Sequence, residues 1–543
     1  MKKLLLLTAL GIAAISVNAQ WTTNPTLNTL AATGNDFVDP FGHADSSGNT
    51  LISFRQVTPM GTYGVAAQKL DALGNPLWGA GGVIVDASDS NQTFTTVYRS
   101  TVDTHGDLII GWQDSRNNND WDVFVSKVAP NGTLPWGNSG IQLSYGPAFD
   151  ANPHVLAMPD SSVIIAWQSD DSTGIRLQRL SYDGTKMWGP LGILHHYNSG
   201  DPLQYFGYPE LVICNDTSFY LLFKKANASF NASQQKFSMM KFGISSQTLF
   251  ANDIDFQSIG FIPNISYIKA LSDGNEGVVM GWLDSRINNF YLDGFVQHTD
   301  AQGNPLLTPD GVSISGLSTS QELGDIQILY GNNIIYAGSY ATTEVYLQSI
   351  DASGNLATPV VIPFANTGSS SFQELNMAWS DDNILMTYDE NAFPNDRFMY
   401  SIFDGSLNPL WTNQLATGNS TKSNSSLTVC KNHQNVELWE DDRSGLNIYA
   451  QNINTDGTIG VGVSEVNDFE MAIFPNPVSS QLNIRSFSGV NHVTILDSQS
   501  RIVMEKSGKN ITEVDLHSLS AGTYYIKADA GRGVARKMFV VER

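Results

Sequence analysis

Three stretches of this chain carry the same polar spacing, Trp-x-Asp-x-Arg: Trp112, Asp114 and Arg116; Trp282, Asp284 and Arg286; Trp439, Asp441 and Arg443. Each follows an apolar alternating run and opens a polar loop (RNNNDWD, RINNFYLD, RSGLN). Alternate side chains of a strand share a face, so indole, carboxylate and guanidinium stand in a row, with Asp and Arg set for a bidentate pair. Two roles fit. The trio closes its own unit and satisfies loop donors, or it offers these groups to a polar ligand such as a glycan where several loops converge. Recurrence at equivalent positions favours the first, because a site usually breaks a repeat. In the first of these loops Asp120 and Asp122 are weak calcium candidates, since calcium takes several oxygen ligands, but no D-x-[DN]-x-[DN]-G loop is present.

Signatures of catalysis are scarce. The chain has no G-x-S-x-G, no H-E-x-x-H and no Walker loop. His195 and His196 form a lone pair, read as solvated in a loop rather than as a metal site. A glycosidase needs two carboxylates placed across the sugar bond, and among 52 acidic residues no spacing singles out such a pair. The reading leans away from an enzyme, and no cofactor is implied beyond the calcium candidates.

The elements that position the trios form a repeat. Leu108, Ile110 and Trp112 share one face of LIIGW; Val163, Ile165 and Trp167 repeat this in VIIAW, and Val278, Met280 and Trp282 in VVMGW. Period-two alternation of this kind is the strand signal. A further strand follows (VFVSKV, IRLQRL, VYLQSI, IYAQNI), then a turn rich in Asp, Asn and Gly such as Asp71–Gly74 or Asp300–Gly303, where Gly supplies a positive φ. Trp returns after several of these turns, at Trp78, Trp136, Trp188 and Trp411. Eight units are counted, their first strands beginning near residues 51, 108, 163, 219, 278, 334, 384 and 436. That spacing suits four short strands per unit, and radial repetition of four-stranded sheets is the propeller. The expected fold is all-β, a β-propeller of eight blades, with seven as the fallback. The repeat loosely resembles bacterial β-propeller repeats, which bears on fold alone.

Composition sets the compartment and the partners. Lys2 and Lys3, the apolar run LLLLTALGIAAIS and the small residues Val17-Asn18-Ala19 have the pattern of a cleavable secretory signal over residues 1–19. The run is shorter than the roughly 20 residues a membrane span needs, and no later run is longer, so no transmembrane segment is expected in the mature chain. A formal charge of −23 argues against nucleic acid as a partner, since phosphate binding needs basic patches. The leader's two lysines and nine basic against eight acidic residues in 468–543 leave −26 for the middle. That shift places a domain border near 466, giving a propeller over 20–466 and a module over 467–543. Cys214 and Cys430 stand four units apart, on opposite sides of an eight-bladed ring, so both are expected as buried free thiols.

The last module reads IFPNPVSSQLNIRS, then LSAGTYYIKADAG, then RKMFVVER, with about seven short strands between turns, the pattern of a small β-sandwich. Pro475, Asn476 and Pro477 open it, Gly522 and Tyr524 stand in LSAGTY, and Lys537 stands in the ending KMFVV. It resembles the type A C-terminal sorting domain of the type IX secretion system of Bacteroidota. The resemblance implies an Ig-like fold, a partnership with the type IX secretion machinery, and export through the periplasm and across the outer membrane to the surface or the medium. The leading functional expectation is a non-catalytic binding module for a glycan or a surface protein. The alternatives are a secreted polysaccharide hydrolase or lyase, and a structural or adhesive surface component. Carboxylates interrupting the repeat at the channel mouth would favour the enzyme.

Overall fold

The computed structural model describes residues 21–34, 36–57, 61–86, 97–117, 120–170, 173–197, 203–227, 235–257, 262, 267–286, 292–314, 325–341, 344–363, 372, 374–390, 396–460, 471–486, 489–497, 501–529 and 534–543. The leader and the border near 466 lie outside them. The chain divides into two compact units, 1–460 and 461–543.

The first unit is eight antiparallel four-stranded sheets, here blades 1 to 8. Blades 1 to 7 take up 37–86, 98–142, 150–195, 205–255, 269–313, 326–363 and 375–416, each in chain order from the innermost strand outward. Blade 8 uses three strands from 422–454 and takes Thr29–Ala32 as its outermost strand. Each innermost strand packs against the next, and that of blade 8 against that of blade 1, so the ring closes at eight. The strands read from the sequence as first in each unit are the second ones, such as Leu108–Asn117 and Gln434–Asp441. An innermost strand precedes each of them. The apolar runs legible in sequence belong to the second and third strands because these are buried on both faces between neighbouring blades.

The recurring Trp joins blade to blade. Trp78 of blade 1 donates from Nε1 to the Pro130 carbonyl in the outer turn of blade 2, at 3.3 Å; Trp136 reaches the Tyr182 carbonyl of blade 3, and Trp188 the Ile244 carbonyl of blade 4. Trp21, ahead of the closing strand, does this for blade 8: its Nε1 donates to the Ala72 carbonyl of blade 1 at 3.0 Å. Blade 4 uses Phe250, set against Gly303 in the turn of blade 5, in place of an indole.

Both cysteines are free, on opposite blades. Cys214 is buried as expected, whereas Cys430 is only partly so, because it lies in the exposed turn between the first two strands of blade 8 rather than within a strand. His195 also departs from its reading as a solvated loop residue. It ends the outer strand of blade 3, its Nε2 2.8 Å from an Asp253 oxygen and its ring edge-on to Phe223 at 5.1 Å.

The second unit is a two-sheet sandwich. Met471–Phe474, Gln481–Ser486 and Glu513–Asp515 form one sheet; Ile502–Ser507, His492–Asp497, Gly522–Asp529 and Val534–Val541 form the other. Alternate residues Leu482 and Ile484 meet Val493, Ile495, Ile526 and Phe539 in its core. Asn476, between the two prolines, acts as a surrogate strand: its side-chain oxygen accepts the Val540 N–H at 2.9 Å and its amide donates to the Met538 carbonyl at 3.1 Å. Tyr524 stacks on Phe539 and donates to the Ser520 carbonyl, Gly522 opens its strand, and Lys537 is exposed on the last strand.

Candidate ligand site at the channel mouth

In all three trios the carboxylate is wholly buried, and the groups that would meet a ligand meet one another. The Trp112 indole donates to Asp114 Oδ2 at 2.9 Å, and Arg116 Nε donates to both Asp114 oxygens at 2.9 Å. Arg116 then ties its own blade's outer turn, through the Ser139 carbonyl, to Asp86 of blade 1 at 2.7 Å. Its guanidinium lies 3.9 Å from the Phe124 ring centre. Trp282, Asp284 and Arg286 repeat the arrangement, with Arg286 on the Asp310 carbonyl and 4.0 Å from Phe295. Trp439, Asp441 and Arg443 repeat it at ring closure, where Arg443 donates to the Thr26 carbonyl. Burial alone would raise the Asp441 carboxyl; Arg443 and Lys422 together hold it below the usual carboxylate range. Each trio thus pins a second strand to an outer strand.

The groups that break the repeat sit elsewhere, on the innermost strands. Blades 1, 3, 4 and 8 each carry a bulge there, with Asp39, Asn152, Tyr208 and Asn424 at φ of 50–53°. Bulges re-aim side chains and gather next to sites. These lie near the end of the channel where the second strands finish. In three of the four, proline follows the bulged residue (Asp39-Pro40, Asn152-Pro153, Tyr208-Pro209), and that dipeptide, 10 or 11 residues ahead of the second strand, is the signal that would have exposed the innermost strands.

Around the blade 4 bulge the residues are aromatic and charged. The Tyr208 and Tyr267 rings meet edge to face at 5.3 Å, and Lys224 Nζ lies 4.4 Å from the Tyr208 ring centre. Arg99 of blade 2 reaches across, its guanidinium carbon 5.4 Å from the Phe41 ring centre and 5.9 Å from that of Tyr267. The Leu211 N–H donates to His154 Nδ1 at 3.3 Å, which fixes the tautomer and leaves Nε2–H facing Glu210 at 3.2 Å. Burial would raise the Glu210 carboxyl; His154, Arg99 and Lys269 outweigh it and hold it below the usual range. Burial pushes the Lys224 ammonium down to about 8.

Carboxyls gather on the opposite side, in blades 7 and 8. Glu440 accepts from Asn424 Nδ2 at 2.7 Å and from the Asp39 N–H at 2.5 Å, and Glu374 accepts the Asn424 and Ser425 N–H groups. Glu437, fully buried, accepts from Thr387 and Asn376 at 3.0 and 3.1 Å. Burial raises all three, Glu437 to about 8 and Glu440 to about 7. Sequence reasoning missed these residues because their neighbours come from three different blades.

The calcium candidates are engaged within blade 2. Asp122 accepts from Ser144, Asn117 and Gln142 at 3.0–3.1 Å, and Asp120 accepts the Trp121 N–H. Among the described residues no three His, Cys, Asp or Glu come together as a metal-ligand set, and no helix is long and apolar enough to cross a membrane.

Residues 472–542 match the family described as the secretion system C-terminal sorting domain. The second unit is a type IX sorting domain. A sorting domain directs export across the outer membrane, so the chain is a cell-surface or secreted protein and a client of the type IX secretion machinery. No curated protein matches the sequence. Solved structures similar to the chain include a prolyl endopeptidase at 10% identity and a TM-score of 0.41, over 72% of this chain and 55% of that one. This chain therefore spans about half of that enzyme's length. An ulvan lyase of polysaccharide lyase family 25, bound to -[GlcA(1-4)Rha3S]-, matches at 10% identity and a TM-score of 0.42, over 79% and 96% of the two chains. The polysaccharide lyase Uly1 matches at 9% and 0.37, over 68% and 88%. These likenesses carry nothing about activity.

Proposed function

We propose that the exported propeller is a binding module that takes a glycan at the channel mouth built by the innermost strands of blades 1 to 5. One observation carries this reading: the repeat holds in the blade interiors and outer turns but breaks at that mouth. There Tyr208, Tyr267, Arg99, His154 and Glu210 are partly accessible and differ from blade to blade. Aromatic faces beside charged hydrogen-bonding groups suit a sugar, whose C–H face stacks while its hydroxyls need partners. The trios serve as staples between strands in this reading, since their polar groups are already spent on one another.

A second reading, polysaccharide cleavage, draws on Glu374 and Glu440, which interrupt the repeat and share Asn424. A carboxyl raised to about 7 is poised as a general acid. Glu440 is nearly sealed from solvent, so the binding reading is preferred. Affinity electrophoresis of the full chain in gels containing different polysaccharides, with the same gels assayed for new reducing ends, separates the two. Retardation without cleavage supports a binding module, cleavage supports the enzyme, and no retardation on any glycan overturns both.

A further inference from the structure

We infer that the Arg99 side of the mouth binds the acidic group of a glycan, a carboxylate or a sulfate ester, in preference to a neutral sugar. The inference rests on the mouth being the ligand site. Arg99 donates from Nη1 to the Tyr98 carbonyl at 2.9 Å, and among the described residues no carboxylate lies within ion-pair distance of it. That is unusual in a middle region carrying −26, where most other channel and blade arginines sit on carboxylates, as Arg55, Arg116, Arg286, Arg397 and Arg443 do.

The surroundings prepare the guanidinium for an anion. The Phe41 and Tyr267 rings flank it and displace part of its water, so a charge-assisted pair formed there is stronger than one in bulk solvent. The planar fork of Arg matches both a carboxylate and a sulfate. Lys224 and Lys269 stand on the same side. The carboxylates there are already taken: Glu210 faces His154 at 3.2 Å and Asp325 faces Lys269 at 3.7 Å. A neutral sugar would leave the Arg99 guanidinium without a direct ion pair. An acidic residue of the glycan, stacked on Tyr267, would supply one.

The test is binding of the folded full chain to three classes of oligosaccharide at fixed ionic strength: carboxylated (polygalacturonate, alginate), sulfated (dextran sulfate, carrageenan) and neutral (dextran, laminarin). The expected result is preference for one acidic class by roughly tenfold or more over the neutral one. Arg99→Gln should lose that preference by about the same factor, and Arg99→Lys, which keeps the charge but not the planar fork, should keep only part of it. Carboxylated and sulfated probes tell which acid is read. Because Arg99 also helps hold the Glu210 carboxyl down, Arg99→Gln is compared with the parent by its melting curve and its affinity is read on the folded protein. Equal binding of neutral and acidic probes overturns this inference while leaving a glycan site standing. So does an acidic ligand that Arg99→Gln binds as tightly as the parent. Binding of no probe in any class overturns both.

Discussion

The Trp21 indole lies over Gly74, with its nitrogen donating to the carbonyl of Ala72, 51 residues further along the chain. Through this contact the first described residue of the chain does for blade 8 what Trp78, Trp136 and Trp188 do for blades 1 to 3, and the ring closes with the segment that precedes blade 1. Trp21 is nearly fully buried, whereas Trp78 is only half-buried. Trp21→Ala should therefore cost about 3 kcal/mol and Trp78→Ala clearly less. Urea unfolding of both variants measures the difference; equal losses would mean that closure gains nothing from the N-terminal segment.

Gly74 is held at φ 87°, and a Cβ there would come within 2.7 Å of the Trp21 ring. Gly74→Ala should destabilise by about 2 kcal/mol through strain and overpacking together. Placing Gly74→Ala in the Trp21→Ala background should cost less than in the parent, because the clash is gone and only the backbone strain remains. A full additive loss in that double variant would show that the two residues do not interact.

Glu437 makes stability depend on pH. Burial pushes its carboxyl to about 8 from the ordinary 4.5, so between those values the folded chain keeps a proton that the unfolded chain has released. Stability must then fall as pH rises through that window and level off above it. Glu440, raised to about 7, adds in the same direction. Gln has no proton to lose, so Glu437→Gln should flatten the decline, gaining on the order of 2 kcal/mol at pH 8.5 and nothing near pH 4. Melting temperatures of the two proteins across pH 4–9 check this, and parallel curves would contradict it.

What the sequence made legible follows from which strands are buried on both faces. The second and third strands of each blade lie between neighbouring blades, and their apolar runs announce them. The innermost strands do not announce themselves, because a bulge at Asp39, Asn152, Tyr208 or Asn424 shifts the period and a proline often follows. The outer strands, such as Ile141–Gln142 and Val312–Ser313, are too short to carry a pattern. Thr29–Ala32 pairs with strand residues more than 400 positions away, so no local feature marks it as part of blade 8. The trios were legible as Asp–Arg pairs because all three partners stand on one strand. The mouth was not, since Phe41, Arg99, His154, Tyr208 and Tyr267 come from five blades.

Passage across the outer membrane should depend on the tail. The sorting domain has its own core, and no strand of the propeller sheets comes from it. Deleting residues 472–542 should leave a folded propeller that accumulates in the periplasm. Cell fractionation with surface protease treatment reads this directly. A truncated chain that still reached the surface would show that the signal lies elsewhere.

The claim that the mouth binds while the trios hold the fold is tested most directly by Tyr267→Ala and Arg116→Ala, compared for glycan affinity and melting temperature. Tyr267 is exposed and stacks at the mouth. Its loss should weaken binding by roughly tenfold, the worth of a stacked aromatic, with little change in melting. Losing Arg116 strands the buried Asp114 carboxylate, so that variant should be destabilised by about 3 kcal/mol and yet, where folded, bind as the parent does. The opposite pattern, with affinity lost in Arg116→Ala and kept in Tyr267→Ala, would move the ligand to the trios and contradict this account.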